Sequence, residues 1–122
     1  MANIMIVDDS LFMRMSLKAI MDTAGHNVVG MAENGKDAID LYRKLHPNVI
    51  TLDVNMEGMD GLAALKILME ENPKPIVFMI SADKQQATVE RAKMLGAAGF
   101  ISKPFNPKAI GLILAKALDN PE

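Results

Sequence analysis

The sequence contains no cysteine, which excludes a disulfide scaffold, thiol catalysis and thiolate metal ligation, and favours a reducing compartment. It also lacks any block of like charges, and its 13 basic and 15 acidic residues sum to −2. Nothing in that balance points to a nucleic-acid or membrane-surface binder. Long hydrophobic runs are missing too. The longest near the start, Ile4–Val7, has no basic lead-in and is far too short for a signal peptide or a membrane span. A cytoplasmic location is expected. No linker or low-complexity segment divides the 122 residues, half of which are apolar and 23% charged. That length and composition suit one soluble globular domain over 1–122 with a sizeable core.

Five short apolar runs, rich in Val and Ile, read as strands: Ile4–Val7, Val28–Ala32, Val49–Leu52, Ile76–Ile80 and Gly99–Ile101. Four of them are apolar at consecutive positions, the pattern of strands covered on both faces in a parallel sheet. The second, broken by Gly30, suits an edge.

Between the runs the period lengthens. Met13, Leu17, Ile20, Met21 and Ala24 fall at spacings of three and four. So do Ala38, Leu41, Tyr42 and Leu45, then Leu62, Leu65, Leu68 and Met69, and finally Ile110, Ile113, Leu114, Ala117 and Leu118. These are amphipathic helices. Ser10, Asn34, Asp60 and Asn106 are their expected N-caps, the last with Pro107 at the first helical position. Gly25, Gly96, Pro47 and Pro73 are the expected stops. A fourth helix, roughly Lys84 to Leu95, carries the thinnest apolar stripe and is the least firmly packed. Strand and helix alternate five times, so right-handed crossovers build an α/β, (βα)₅ domain with helices on both sides of a parallel sheet.

Polar residues gather where the strands end: Asp8 and Asp9, Asp53, Ser81 and Lys103. In such a sheet, ligands bind outside the carboxyl ends of the strands, where strand order reverses. Two carboxylates about 4 Å apart repel by roughly 4 kcal/mol at an effective dielectric near 20. Three, with Lys103 as the counter-charge, therefore call for a cation. All-oxygen ligands without His or Cys point to Mg²⁺, with Mn²⁺ as the substitute, and Mg²⁺ characteristically shares its shell with water and a phosphate. Aspartate is itself a nucleophile toward phosphorus. Asp53 is the candidate because it stands alone at a strand end, while adjacent Asp8 and Asp9 chelate. Lys103 and the Ser81 hydroxyl are placed to meet phosphate oxygens.

At these residues the sequence resembles the receiver domain of two-component response regulators over its whole length. The matching pieces are VDDS at Val7–Ser10, LDVNMEGMDG at Leu52–Gly61, ISAD at Ile80–Asp83 and KPF at Lys103–Phe105. The run Asp8–Arg14 and the absence of an output segment look most like stand-alone chemotaxis regulators of the CheY type. The resemblance implies a flavodoxin-like, doubly wound five-stranded sheet of order 2-1-3-4-5, the order for which a member of this family is the standard example. It implies that Asp53 accepts a phosphoryl group from a histidine kinase, and that Asp8, Asp9, Asp53 and the Asn55 backbone carbonyl surround Mg²⁺. It further implies that Ser81 and Lys103 bind the phosphate, with Ser81 and the aromatic Phe100 as the switch. A cis peptide before Pro104 is expected. The surface formed by the fourth helix, fifth strand and fifth helix would then control a motor-switch or adaptor partner. A monomer without conventional enzymatic activity is expected.

Two positions depart from the commoner family pattern. Glu57 replaces a frequent proline and adds negative charge at the site mouth, and Phe100 replaces a frequent tyrosine, so its switch would work by ring burial alone.

Taken singly, each of these residues has an ordinary reading. Aspartates and serines form turns, Asn55 suits a loop, Asp83 caps the fourth helix, and Lys103 is a solvated charge. Their joint spacing reverses that. His26 and His46 read as surface residues in turns, and the eleven methionines as adaptable core packing. A small aspartate-nucleophile phosphohydrolase is the competing reading. Such enzymes want a second carboxylate two positions on, and Asn55 cannot donate a proton in that way. A flavodoxin-like cofactor binder ranks below it, because Asp8–Asp9–Ser10 is acidic where a phosphate cradle offers bare backbone donors.

Overall fold

The computed structural model describes residues 2–83 and 85–119. Five strands, β1 (Asn3–Val7), β2 (Asn27–Ala32), β3 (Val49–Asp53), β4 (Ile76–Ser81) and β5 (Gly99–Ser102), alternate with five helices. The helices are α1 (Leu11–Thr23), α2 (Gly35–Leu45), α3 (Gly61–Leu68), α4 (Gln86–Leu95) and α5 (Pro107–Asp119). All pairings are parallel and the order is β2-β1-β3-β4-β5, the expected topology.

The consecutive apolar residues fill two cores. Met5, Val7, Ile50, Leu52, Val77 and Met79 pack against α2, α3 and α4. Ile4, Ile6, Val49, Phe78, Ile80 and Ile101 face α1 and α5. A period of two along each strand sends neighbours to opposite cores, so both sets must be apolar. Continued past the strand ends, it sets Asp8, Asp53 and Lys103 in step with Ile6, Thr51 and Ile101 on the α1/α5 side.

At the β2 edge the register shifts between Ile4 and Met5, a bulge that passes over Val29 and pairs Met5 with Gly30. A Cβ there would come within 2.8 Å of Leu45 and 2.9 Å of Leu41, so glycine lets α2 lie close on the edge strand.

The caps are those the sequence indicates. Ser10, Asn34 and Asp60 accept from the N–H groups of Met13, Asp37 and Ala63. Asn106 accepts from Lys108 N–H at 2.8 Å.

Three expectations are corrected. The third helix stops at Leu68, well before Pro73, because Glu70 and Glu71 donate to Ile67 and Leu68 in tight turns that end it. The fourth begins at Gln86, after an N-cap Gln85 that supplies no side-chain bond; Lys84 lies outside the described residues. His26 is half-buried and accepts from Ala2 N–H at 3.1 Å, which ties it to the start of β1 rather than leaving it on the surface. Lys103–Pro104 is cis as expected, and so is Asn72–Pro73.

Candidate functional site

Parallel strands end at one rim of the sheet, and three of those ends build the site. β1 runs into Asp8 and Asp9, β3 ends on Asp53, and β5 leads to Lys103. Carboxylate oxygens of Asp8, Asp9 and Asp53 all lie within 4.8 Å of one another. Asp8 is 1% exposed and Asp53 5%, whereas Asp9 faces solvent.

Lys103 Nζ donates to Asp8 Oδ2 at 2.9 Å and to Asp53 Oδ2 at 3.4 Å. The other oxygens of these buried carboxylates are held by backbone: Ser10 N–H donates to Asp8 Oδ1 at 2.9 Å, and Asn55 N–H to Asp53 Oδ1 at 3.2 Å. Formal charges still sum to −2 across three carboxylates and one ammonium.

The titration behaviour follows from this packing. Burial raises the Asp53 carboxyl above its ordinary value and neighbouring Asp8 adds to the rise; Lys103 and the Asn55 N–H pull the other way without cancelling it. For Lys103, burial is the largest single influence and acts downward, yet Asp8 and Asp53 together outweigh it, so the ammonium is held charged. Asp53 therefore sits in its pocket as an anion at a cost, and a cation would relieve it.

The donor set suits a small hard cation. Octahedral Mg²⁺ has oxygens at about 2.0–2.1 Å, so opposite oxygens in its shell are about 4.2 Å apart, comparable with the spread of these carboxylates. Receiver-type acidic pockets of this kind typically bind Mg²⁺, and Asp8, Asp9 and Asp53 form such a group here.

The remaining expected residues sit around this cluster. Ser81 is fully buried at the end of β4, where its carbonyl accepts from Lys103 N–H at 2.9 Å and its hydroxyl from Asp83 N–H at 3.0 Å. Asp83 in turn accepts from Gln85 N–H and from the Thr88 hydroxyl, both at 2.9 Å, and so braces the start of α4. Asn55 follows Asp53 on the loop, with its side chain exposed. Phe100 is half-buried against the α2–α4 core and lines a groove of about 310 Å³ between α4 and β5, together with Val89, Ala92, Lys93 and Ala98. Glu57 stands at the mouth of a neighbouring acidic cleft with Asp9, Glu33 and Asp37.

A family model for the response regulator receiver domain matches residues 4–115. The chain belongs to the response regulator receiver family.

A chemotaxis protein CheY of Thermotoga maritima is 43% identical over 107 residues, which cover 88% of this chain and 89% of that protein. A protein-glutamate methylesterase/protein-glutamine glutaminase of Archaeoglobus fulgidus is 47% identical over 103 residues, 83% of this chain but 29% of that larger protein. Among solved structures, a CheX–CheY–BeF₃–Mg²⁺ complex from Borrelia burgdorferi superposes with a TM-score of 0.91 at 31% identity, covering 95% of this chain and 88% of that one. The receiver is thus of CheY type, a signalling module rather than a conventional enzyme, and chemotaxis is the pathway its relatives suggest. No helix among the described residues is long and apolar enough to cross a membrane.

Three residues near the receiver's acidic group were not singled out from sequence. Gly61 is packed on the strand that carries Asp53: a Cβ there would meet the Asp53 carbonyl oxygen at 2.0 Å and Val54 Cα at 2.7 Å. Its N–H donates to Val54 O at 2.8 Å. Thr51, two residues before Asp53, is 1% exposed, and its hydroxyl has no hydrogen-bond partner among the described residues. Arg14 donates to the Asp8 carbonyl. The glycine in the loop motif was the signal available for Gly61; the other two depend on neighbours that only the fold brings together.

Proposed function

We propose that the chain is a cytoplasmic response regulator receiver that takes a phosphoryl group on Asp53 from a chemotaxis-type histidine kinase. The observation that carries this reading is the convergence of Asp8, Asp9 and Asp53 within 4.8 Å beneath Lys103. Asp8, Asp9, Asp53 and the Asn55 carbonyl would hold Mg²⁺ or Mn²⁺. When bound, that cation neutralises pocket charge and the equatorial oxygens of a phosphoryl group.

In the transfer, an Asp53 carboxylate oxygen forms a bond to phosphorus as the phosphorus–nitrogen bond of a phosphohistidine breaks, and the electron pair leaves with the imidazole. Lys103, held charged and already bonded to Asp53, supports the negative charge on the acyl phosphate. Ser81 accepts from Asp83 N–H through its oxygen, which leaves its own proton to donate to phosphate. Such a bond draws the β4–α4 segment inward. The groove beside Phe100 then gives its ring room to change position, and the α4–β5–α5 face changes shape for a motor-switch or adaptor partner. α4 suits a moving element, with a single buried residue, Ala92, and no side-chain cap. Phosphorylation shifts this equilibrium by the difference in contacts between the two states and no more.

Incubation with Mg²⁺ and acetyl phosphate, followed by intact-mass measurement, tests the reading. A single base-labile adduct on Asp53, absent from Asp53→Asn and in chelator, is the expected result. Rapid turnover of assorted phosphomonoesters without an adduct would favour the phosphohydrolase.

A further inference from the structure

In an extended chain, successive side chains point to opposite sides, so adjacent Asp8 and Asp9 reach one point only if the backbone turns between them. The turn falls where β1 has ended at Val7 and α1 has yet to begin at Leu11. The peptide joining Asp8 to Asp9 therefore sets the angle between their two carboxylates.

That peptide is gripped by Arg14. Its Nη1 donates to the Asp8 carbonyl oxygen at 2.7 Å, the shortest bond around the acidic group, from a side chain only 13% exposed. Asp8 N–H meanwhile donates to Ala32 O at 3.1 Å, so both sides of Asp8 are tied down. The second arm of Arg14 reaches toward the β2–α2 turn, where Nη2 lies 4.0 Å from Glu33 Oε2. Glu33 is mostly exposed, so that pair contributes little. The carbonyl bond is the stronger contact, since it is short, charge-assisted and largely shielded.

We propose that Arg14 is a positioning residue of the acidic site: its guanidinium clamps the Asp8–Asp9 peptide and holds the two neighbouring carboxylates at the angle where both meet Asp53. The inference rests on the reading of that site as a divalent-cation and phosphoryl site. It assigns Arg14 a mechanical role beyond its charge, because a lysine would keep the charge and lose the rigid fork.

Calorimetric titration of the full chain with Mg²⁺ separates these effects, with melts in chelator reporting folding. Arg14→Met should weaken Mg²⁺ binding by about tenfold to a hundredfold, the usual cost of removing a group that orients a metal ligand. Arg14→Lys should recover only part of the affinity, and Glu33→Gln should bind as the wild type does. In the metal-free protein, the Ser10 amide, bonded to Asp8 Oδ1, should exchange with deuterium faster in Arg14→Met than in the wild type. Wild-type affinity in Arg14→Met overturns the proposal, and full recovery in Arg14→Lys assigns the effect to charge and overturns the clamp. If Arg14→Met does not fold, Arg14→Lys decides alone. A wild type without saturable Mg²⁺ binding, indistinguishable from Asp53→Asn, defeats the site reading and this inference with it.

Discussion

Lys103 Nζ lies 2.9 Å from Asp8 Oδ2 across a separation of 95 residues. The contact joins the first strand end to the last and places the site's ammonium between two buried carboxylates. Removing one partner of a buried pair leaves the other charge uncompensated, at a cost of about 3 kcal/mol. Lys103→Met should therefore lower the stability of the metal-free protein by roughly that amount in urea denaturation. An unchanged midpoint would show that solvent already screens the pair.

Gly61 offers a steric test of how Asp53 is held. Alanine there drives a methyl group into the Asp53 carbonyl, which is backbone and cannot rotate away. Overpacking of this kind costs about 1–3 kcal/mol. Gly61→Ala should lose at least that much stability and should also weaken Mg²⁺ binding, since the strand end itself must shift. A variant with wild-type stability and metal affinity would refute the close contact.

Thr51 should behave in the opposite sense. Its buried hydroxyl stands between Ile6 and Phe78 in the sheet register, two residues below Asp53. Thr51→Val keeps the shape and removes a desolvated polar group, so it should stabilise the protein by about 1 kcal/mol in the same urea assay. Destabilisation would mean that the hydroxyl is satisfied in solution.

His26 gives a pH dependence with a definite sign. Burial lowers its pKa from the ordinary 6.5, and its Nδ1 accepts from Ala2 N–H, so the fold favours the neutral ring. A His depressed in the fold contributes stability above the unfolded value and loses it as pH falls below 6.5. The wild type should lose more stability than His26→Gln between pH values above and below 6.5. Parallel pH profiles for the two proteins would contradict the assignment.

How far the sequence reached depended on whether a signal was local. Consecutive apolar positions in β1 and β4, and in β3 apart from Thr51, disclosed a sheet covered on both faces, because each residue needs a core on its own side. The caps Ser10, Asn34 and Asp60 were legible because a cap and its helix are neighbours in the chain. Asp8, Asp9, Asp53 and Lys103 were legible as a group only because parallel strands all end at one rim. The Arg14 contact was not, since it depends on where the chain bends between two aspartates. The end of α3 is not legible for a different reason: tight turns after Leu68 close the helix before Pro73 is reached.

The central claim is that the carboxylate cluster strains the fold until a divalent cation enters it, and thermal melts of the wild type and Asp53→Asn in chelator and in Mg²⁺ test this most directly. Burial and Asp8 raise the Asp53 pKa, so its charge costs stability at neutral pH. The account predicts that in chelator Asp53→Asn melts above the wild type, and that Mg²⁺ raises the wild-type midpoint much more than the variant's. A wild type that melts no lower than Asp53→Asn in chelator, and is indifferent to Mg²⁺, would contradict it.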